Sequence, residues 1–239
     1  MTHTPLDRER LRKKYDRREY IITLALRTLG NFLILSSLFF IAKTFYQPLR
    51  EELRYNLDQF THKTYVVAEK QNEAQVKGLL AKTLNGADIQ VLTPVDPNFS
   101  VVIPKIDANA RIIENVDVSN PDIYLAALKK GVAQAEGTAF PGEGGHIYLF
   151  AHSTDYIWNV GTYNAVFYLL YKLGVGDEIN LFYKGQRYVY RVIGTKIVDP
   201  SEVSYITRKT NKEFLTLQTC WPPGTTLKRL LVFATREAE

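Results

Sequence analysis

The chain of 239 residues holds one cysteine, Cys220, at the end of the run FLTLQTC. Alternation puts Phe214, Thr216, Gln218 and Cys220 on one face of a strand and Leu215, Leu217 and Thr219 on the other. The leucines mark the core side, so the thiol belongs at the strand end on the more polar face. Pro222, Pro223 and Gly224 break the ladder as a turn, and RLLVFA resumes it as an apolar strand. Antiparallel pairing across that turn sets Arg229 beside Cys220, about 5 Å away across the ladder. A guanidinium there stabilises a thiolate and can donate to an oxyanion. A cysteine nucleophile also needs a base, most often histidine. His152 fits, because it lies just past HIYLFA, a run apolar enough for a strand buried on both faces. Cys220 as nucleophile, His152 as general acid and base, and Arg229 as carbonyl donor make a set for acyl transfer. The bland alternative for a lone cysteine is a small buried apolar residue. Strand parity and the His/Arg set argue against it.

Other residues gather around these three. Tyr156 and Trp158 follow His152, and Trp221 follows Cys220; they are candidates for lining a substrate groove, with packing as the other reading. Thr219 could bring its hydroxyl to the site, although its parity favours a core-side role. His146 and His152 share strand parity but stand about 20 Å apart along a strand, too far to hold one metal ion. His146 is therefore read as structural or surface, and His62 has no partner in the sequence. Asp155, Asp199 and Glu202 lie on candidate loops and read as solvated charge rather than a calcium site. The chemistry calls for no metal and no cofactor.

Several stretches taken together resemble the sortases, the cysteine transpeptidases of bacterial surfaces. They are TLQTC (216–220), Arg229, LFAHS (149–153), IPKID (103–107), LKKGVAQAEGTAFPGEGG (128–145) and GDEI (176–179). The resemblance covers roughly residues 98–236 and departs from the family at Ala151, usually glycine, and His146, often asparagine. It implies a mainly β fold, a closed eight-stranded barrel with short helices. It also implies cleavage of an LPxTG-like sorting signal near the C-terminus of secreted proteins, and transfer of the acyl fragment to a cell-wall or pilin amine. On the family's plan the connection 199–213 borders the groove for the sorting peptide.

The elements that must carry this site read as follows. Arg8, Arg10, Arg12, Lys13, Lys14, Arg17 and Arg18 precede the apolar run Tyr20–Tyr46. That run is long enough to cross a hydrocarbon core of about 30 Å. A basic cluster directly before such a run speaks for membrane topology rather than nucleic-acid binding. The expected layout is a cytoplasmic tail (1–19), an uncleaved transmembrane signal anchor (20–46), a helical stalk or linker (47–87) and an extracytoplasmic catalytic domain (88–239). Membrane lipid is thus an expected partner. Leu49, Leu53, Leu57 and Phe60 recur at helical spacing, and Lys63–Leu84 is polar and rich in helix formers. Beyond them come short β-type runs (DIQVL, SVVIPKI, RIIENV, EINLFY, YVYRVIG), a short helix from Asp122 and another over Tyr163–Leu173. Such a series of short strands indicates a closed or nearly closed barrel.

Two other functions compete. A papain-like protease puts its cysteine before its histidine and at a helix start, the reverse of the order here. A non-catalytic, membrane-tethered barrel used for binding or assembly explains the fold and anchor but leaves the Cys/His/Arg set as coincidence.

Overall fold

The computed structural model describes residues 5–61, 63–68, 89–153 and 166–237, in two compact units that divide between Gln47 and Pro48. The first unit holds most of helix α1 (Pro5–Phe60). Its stretch Arg17–Tyr46 is long and apolar enough to cross a membrane, with a mean hydropathy of 1.7 and no buried residue. The hydroxyls of Thr28 and Thr44 donate to carbonyls four residues back, at 2.9 and 2.7 Å. Their polar groups are thus satisfied within the helix, as a lipid surround requires.

The second unit is built on a closed barrel of eight strands: β3 (Phe99–Ile103), β4 (Ala108–Val116), β5 (Val132–Ala135), β6 (His146–Phe150), β7 (Glu178–Tyr183), β8 (Gln186–Val198), β9 (Phe214–Trp221) and β10 (Lys228–Arg236). Their order around the barrel is β10-β8-β7-β3-β4-β5-β6-β9. The short helix α2 (Pro121–Leu128) joins β4 to β5. Asn120 caps it by accepting from the Asp122 N–H, and Pro121 sits where a helix needs no donor. Two smaller strands, β1 (Thr64–Val67) and β2 (Ile89–Leu92), pair in parallel outside the barrel.

Alternation along each strand divides the apolar residues into two sets. Ile147 and Leu149 of β6, Leu215 and Leu217 of β9, and Leu230 and Val232 of β10 point inward into the barrel core. Tyr148 and Phe150 of β6 point outward, into a second cluster with Val116, Ala135, Leu128 of α2, and Tyr205 and Ile206 of the connection before β9. β6 is therefore buried along its whole length, as its unbroken apolar run led us to expect. Leu217 is fully enclosed, and truncating such a side chain to alanine costs about 2–5 kcal/mol. Gly131 lies where β4 and β5 draw together: a Cβ there would stand 2.3 Å from the Arg111 carbonyl oxygen.

Two local expectations need revising, and a contact is added to a third stretch. Thr64–Val67, within the stretch read as helix-forming, is a strand; its aromatic and β-branched residues suit the pleat against β2. The helix expected over Tyr163–Leu173 is, in its described part, a single 3₁₀ turn at Leu170–Lys172. The last turns of α1 dock by their polar face, not by the leucine stripe. Arg54 pairs with Asp107, Tyr171 donates to Glu52, and Lys172 lies 3.2 Å from Glu52, while Leu49, Leu53, Leu57 and Phe60 stay exposed.

Candidate active site

The turn after β9 sets the first relationship. β9 and β10 pair antiparallel with Arg229 opposite Cys220, Leu231 opposite Gln218 and Phe233 opposite Thr216. Paired residues project to the same side of a sheet, and Leu231 and Phe233 lie outside the inward set, so Arg229 and Cys220 both face outward. The Arg229 guanidinium is held in place by its own turn: Nη1 donates to the Thr226 carbonyl at 3.0 Å and to the Lys228 carbonyl at 3.1 Å. Next to it Lys228 Nζ pairs with Asp199 Oδ1 at 2.6 Å, so this carboxylate is already engaged by a cation.

The second relationship comes from the other neighbour of β9. β6 pairs with β9 in parallel, with Tyr148 opposite Thr216 and Phe150 opposite Gln218. The Ala151 N–H continues the ladder to the Gln218 carbonyl at 3.1 Å, and Thr219 Oγ1 donates to the Ala151 carbonyl at 3.0 Å. Two residues beyond the Phe150–Gln218 pair stand His152 and Cys220. Continuing that register past the end of β6 would bring His152 level with Cys220, whose other neighbour is Arg229. His152 and Cys220 are both half-buried.

Burial pushes the Cys220 thiol above its ordinary 9.0, and the Arg229 charge pulls it partly back. A thiol raised in this way depends on a base to take its proton before it attacks. Burial raises the Tyr148 phenol as well, again against the pull of Arg229.

Thr219 is 3% exposed, on the core side, and holds the end of β6 through its hydroxyl. Trp221 packs with the barrel core and against Tyr171, ring centroids 5.4 Å apart. Tyr156, Trp158 and Asp155 lie outside the described residues. His146 is 4% exposed, with Nε2 at 2.9 Å from Thr216 Oγ1, and its ring packs edge-on to Tyr148. Burial pushes its pKa down to about 4; a backbone hydrogen bond at Arg208 opposes this and the Arg208 charge adds to it. It is a structural histidine. Among the described residues no group of three acidic, histidine or cysteine side chains could hold a metal.

Sequence reasoning did not single out Tyr148 or Gln218. Tyr148 donates to Gln218 Oε1 at 2.5 Å on the outward face, two strand positions from the thiol. The signal was present: Gln218 shares Cys220's parity, and Tyr148 shares that of His152.

A family model described as the sortase domain matches residues 101–237, more than half of the chain. A curated relative, sortase D of Bacillus subtilis (strain 168), is 32% identical over 137 residues; the match covers 56% of this chain and 61% of that protein's length. Among solved structures, sortase C-1 from Actinomyces oris is 30% identical with a TM-score of 0.50, covering 61% of this chain and 75% of that one. The group B Streptococcus pilus island 1 sortase C2 is 27% identical with a TM-score of 0.50, covering 59% and 73%.

Proposed function

From the premise that this chain belongs to the sortase family, we propose that it is a membrane-anchored cysteine transpeptidase acting at the row His152, Cys220, Arg229. The observation that supports this reading is the register: Arg229 pairs opposite Cys220 on β10, and β6, which runs parallel to β9, ends two residues before His152 with its last pair, Phe150–Gln218, two residues before Cys220.

The chemistry follows from the groups. The Cys220 thiol passes its proton to the His152 imidazole, and the sulfur attacks the carbonyl carbon of a peptide bond. Arg229, anchored by Nη1 to its own turn, directs its remaining donors at the carbonyl oxygen as negative charge develops. The C–N bond breaks, and the imidazolium gives its proton to the departing amine. This leaves an acyl-thioenzyme and a neutral histidine. An incoming amine then attacks the thioester carbon, His152 accepts its proton, and as the C–S bond breaks the imidazolium returns that proton to the departing sulfur, restoring the thiol. On this route the proton taken from the thiol is the one the leaving amine receives.

The substrate is a secreted protein bearing an LPxTG-like sorting signal near its C-terminus, and the acceptor is an amine of the cell wall or of a pilin subunit. The apolar stretch Arg17–Tyr46 anchors the chain in the cell membrane. The basic residues before it hold the N-terminus in the cytoplasm and put the barrel outside. Support for the groove comes from Tyr205 and Ile206, which pack the connection before β9 against the outward cluster that includes Tyr148 and Phe150.

The test is to incubate the full chain, in detergent, with a library of LPxTG-like peptides and an amine. Mass spectrometry should find an acyl adduct on Cys220 and an amide product. An intact thiol with every peptide would sink the reading and leave the non-catalytic barrel in its place.

A further inference from the structure

Gln218 shares the outward face of β9 with Cys220, two residues before it and therefore about 6.6 Å along the strand. Its ladder partners are apolar: Leu231 on β10, fully buried, and Phe150 on β6, 8% exposed. A half-buried amide is thus set between apolar walls next to the thiol. An amide has two ends, an oxygen that accepts and a nitrogen that donates. The oxygen is committed, since Tyr148, 1% exposed, donates its phenolic O–H to Gln218 Oε1 at 2.5 Å. With the oxygen turned to the phenol, the –NH2 end must point the other way. Among the described residues Gln218 Nε2 has no protein acceptor, and it is not sealed in the interior. Water can satisfy that nitrogen in the free chain, and a ligand covering it must supply an acceptor in water's place. Here one end is fastened and the other is presented.

The presented donor is two strand positions from Cys220, too far to reach an oxyanion at the sulfur. Arg229 occupies the position directly across from the thiol. An extended peptide advances about 3.3 Å per residue. A donor about 6.6 Å away therefore meets a group roughly two residues from the scissile carbonyl.

We propose that Gln218 is a specificity-determining residue: its Nε2 donates to a carbonyl oxygen of the substrate peptide, and Tyr148 holds the amide in the orientation that does so. This rests on the acyl-transfer reading above. The ligand it selects is an extended peptide with a carbonyl, of backbone or amide side chain, at that distance. A peptide without an acceptor there leaves the donor unpaired between Phe150 and Leu231, at a cost to binding.

The experiment uses the full chain in detergent and, as probe, the best-cleaved peptide of the LPxTG-like library. A matched set of that peptide has each backbone amide replaced in turn by an alkene, which keeps the shape and removes the carbonyl. Gln218→Leu should lower kcat/KM about tenfold, carried by KM, with kcat and the iodoacetamide labelling rate of Cys220 unchanged. One alkene peptide should lose a similar factor with the native chain and nothing more with Gln218→Leu. Tyr148→Phe, which frees the amide to rotate, should raise KM by a smaller factor. Because Gln218→Leu strands the Tyr148 hydroxyl, the Gln218→Met/Tyr148→Phe pair, which removes both partners, should keep the melting temperature and still raise KM. An unchanged KM in that pair, or an equal loss for every alkene peptide, overturns the assignment while leaving the transpeptidase intact. No acyl-thioenzyme from the native chain with any peptide overturns both.

Discussion

Arg229 stands directly opposite Cys220 in the antiparallel ladder, yet its Nη1 is spent on the carbonyls of Thr226 and Lys228. The guanidinium is thereby fixed by the turn it belongs to, before any substrate arrives. Lysine cannot reproduce this, having one ammonium for both anchoring and donation. If the clamp role holds, Arg229→Lys should raise the barrier by about 3 kcal/mol. Single-turnover acylation should slow a hundredfold or more while the fold is kept. Near-native acylation by that variant would reject the clamp.

The three groups should fail in distinguishable ways. Cys220→Ala removes the bond-forming atom, so no acyl adduct should be seen at any time. His152→Ala leaves the thiol without a proton partner. Turnover should drop by about a hundred- to ten-thousand-fold, while slow trapping by a strong electrophile persists. These outcomes are read by mass spectrometry under one set of conditions, and retained turnover in Cys220→Ala removes the whole mechanism.

The thiol's environment gives a pH signature. Burial holds Cys220 above 9.0 and Arg229 opposes that. In the absence of substrate, iodoacetamide labelling should rise with pH and reach half its plateau above pH 9.0. Removing the charge in Arg229→Gln should move the midpoint higher still and slow labelling at pH 7. A midpoint that drops in Arg229→Gln would contradict the charge effect.

His146 gives the fold a pH dependence of its own. Its pKa is about 4 in the folded chain against 6.5 when solvated. Between those values the unfolded chain takes up a proton that the folded chain refuses. Its contribution is complete above pH 6.5 and drains away as pH falls towards 4. The amount is about 3 kcal/mol. Urea unfolding of a chain starting at Pro48 should show stability falling from pH 7 to 4.5, with a flatter profile in His146→Gln. Identical slopes for the two would rule His146 out as the source.

The strand plan was legible in the sequence because alternation was clean where one face met the barrel core. FLTLQTC and RLLVFA, joined by Pro222, Pro223 and Gly224, state their own register, and the structure keeps it from Phe214 to Trp221. Less legible were contacts that depend on what lies across space. Nothing local says that Glu52 and Arg54, rather than Leu49 and Leu53, face the barrel. The partners that decide it, Tyr171, Lys172 and Asp107, are 53 or more residues away. Thr64–Val67 was hidden because four residues carry too little periodicity to outweigh helix formers around them. The Tyr148–Gln218 bond needed the parallel pairing of β6 and β9, which no turn announces.

Those polar contacts of the last turns of α1 lead to a prediction about where the catalytic domain begins. A chain from Gly86 lacks Glu52 and Arg54 and leaves Tyr171 and Asp107 without their partners. It should melt several degrees below one from Pro48, consistent with a few exposed pairs worth up to about 1 kcal/mol each. Equal melting temperatures would make the segment a tether only. In spheroplasts, added protease should remove residues 50–239 and spare the N-terminus; protection of the barrel would overturn the proposed orientation.

The parallel pairing of β6 with β9 has a consequence in time as well as in space. Tyr148 and Thr216 are neighbours in the ladder but 68 positions apart along the chain, and the two strands are the closing seam between β5 and β10. Contacts of such long sequence separation are the slow ones to form. The seam that carries Cys220 is thus expected to close late, after the local hairpins β7–β8 and β9–β10 have formed.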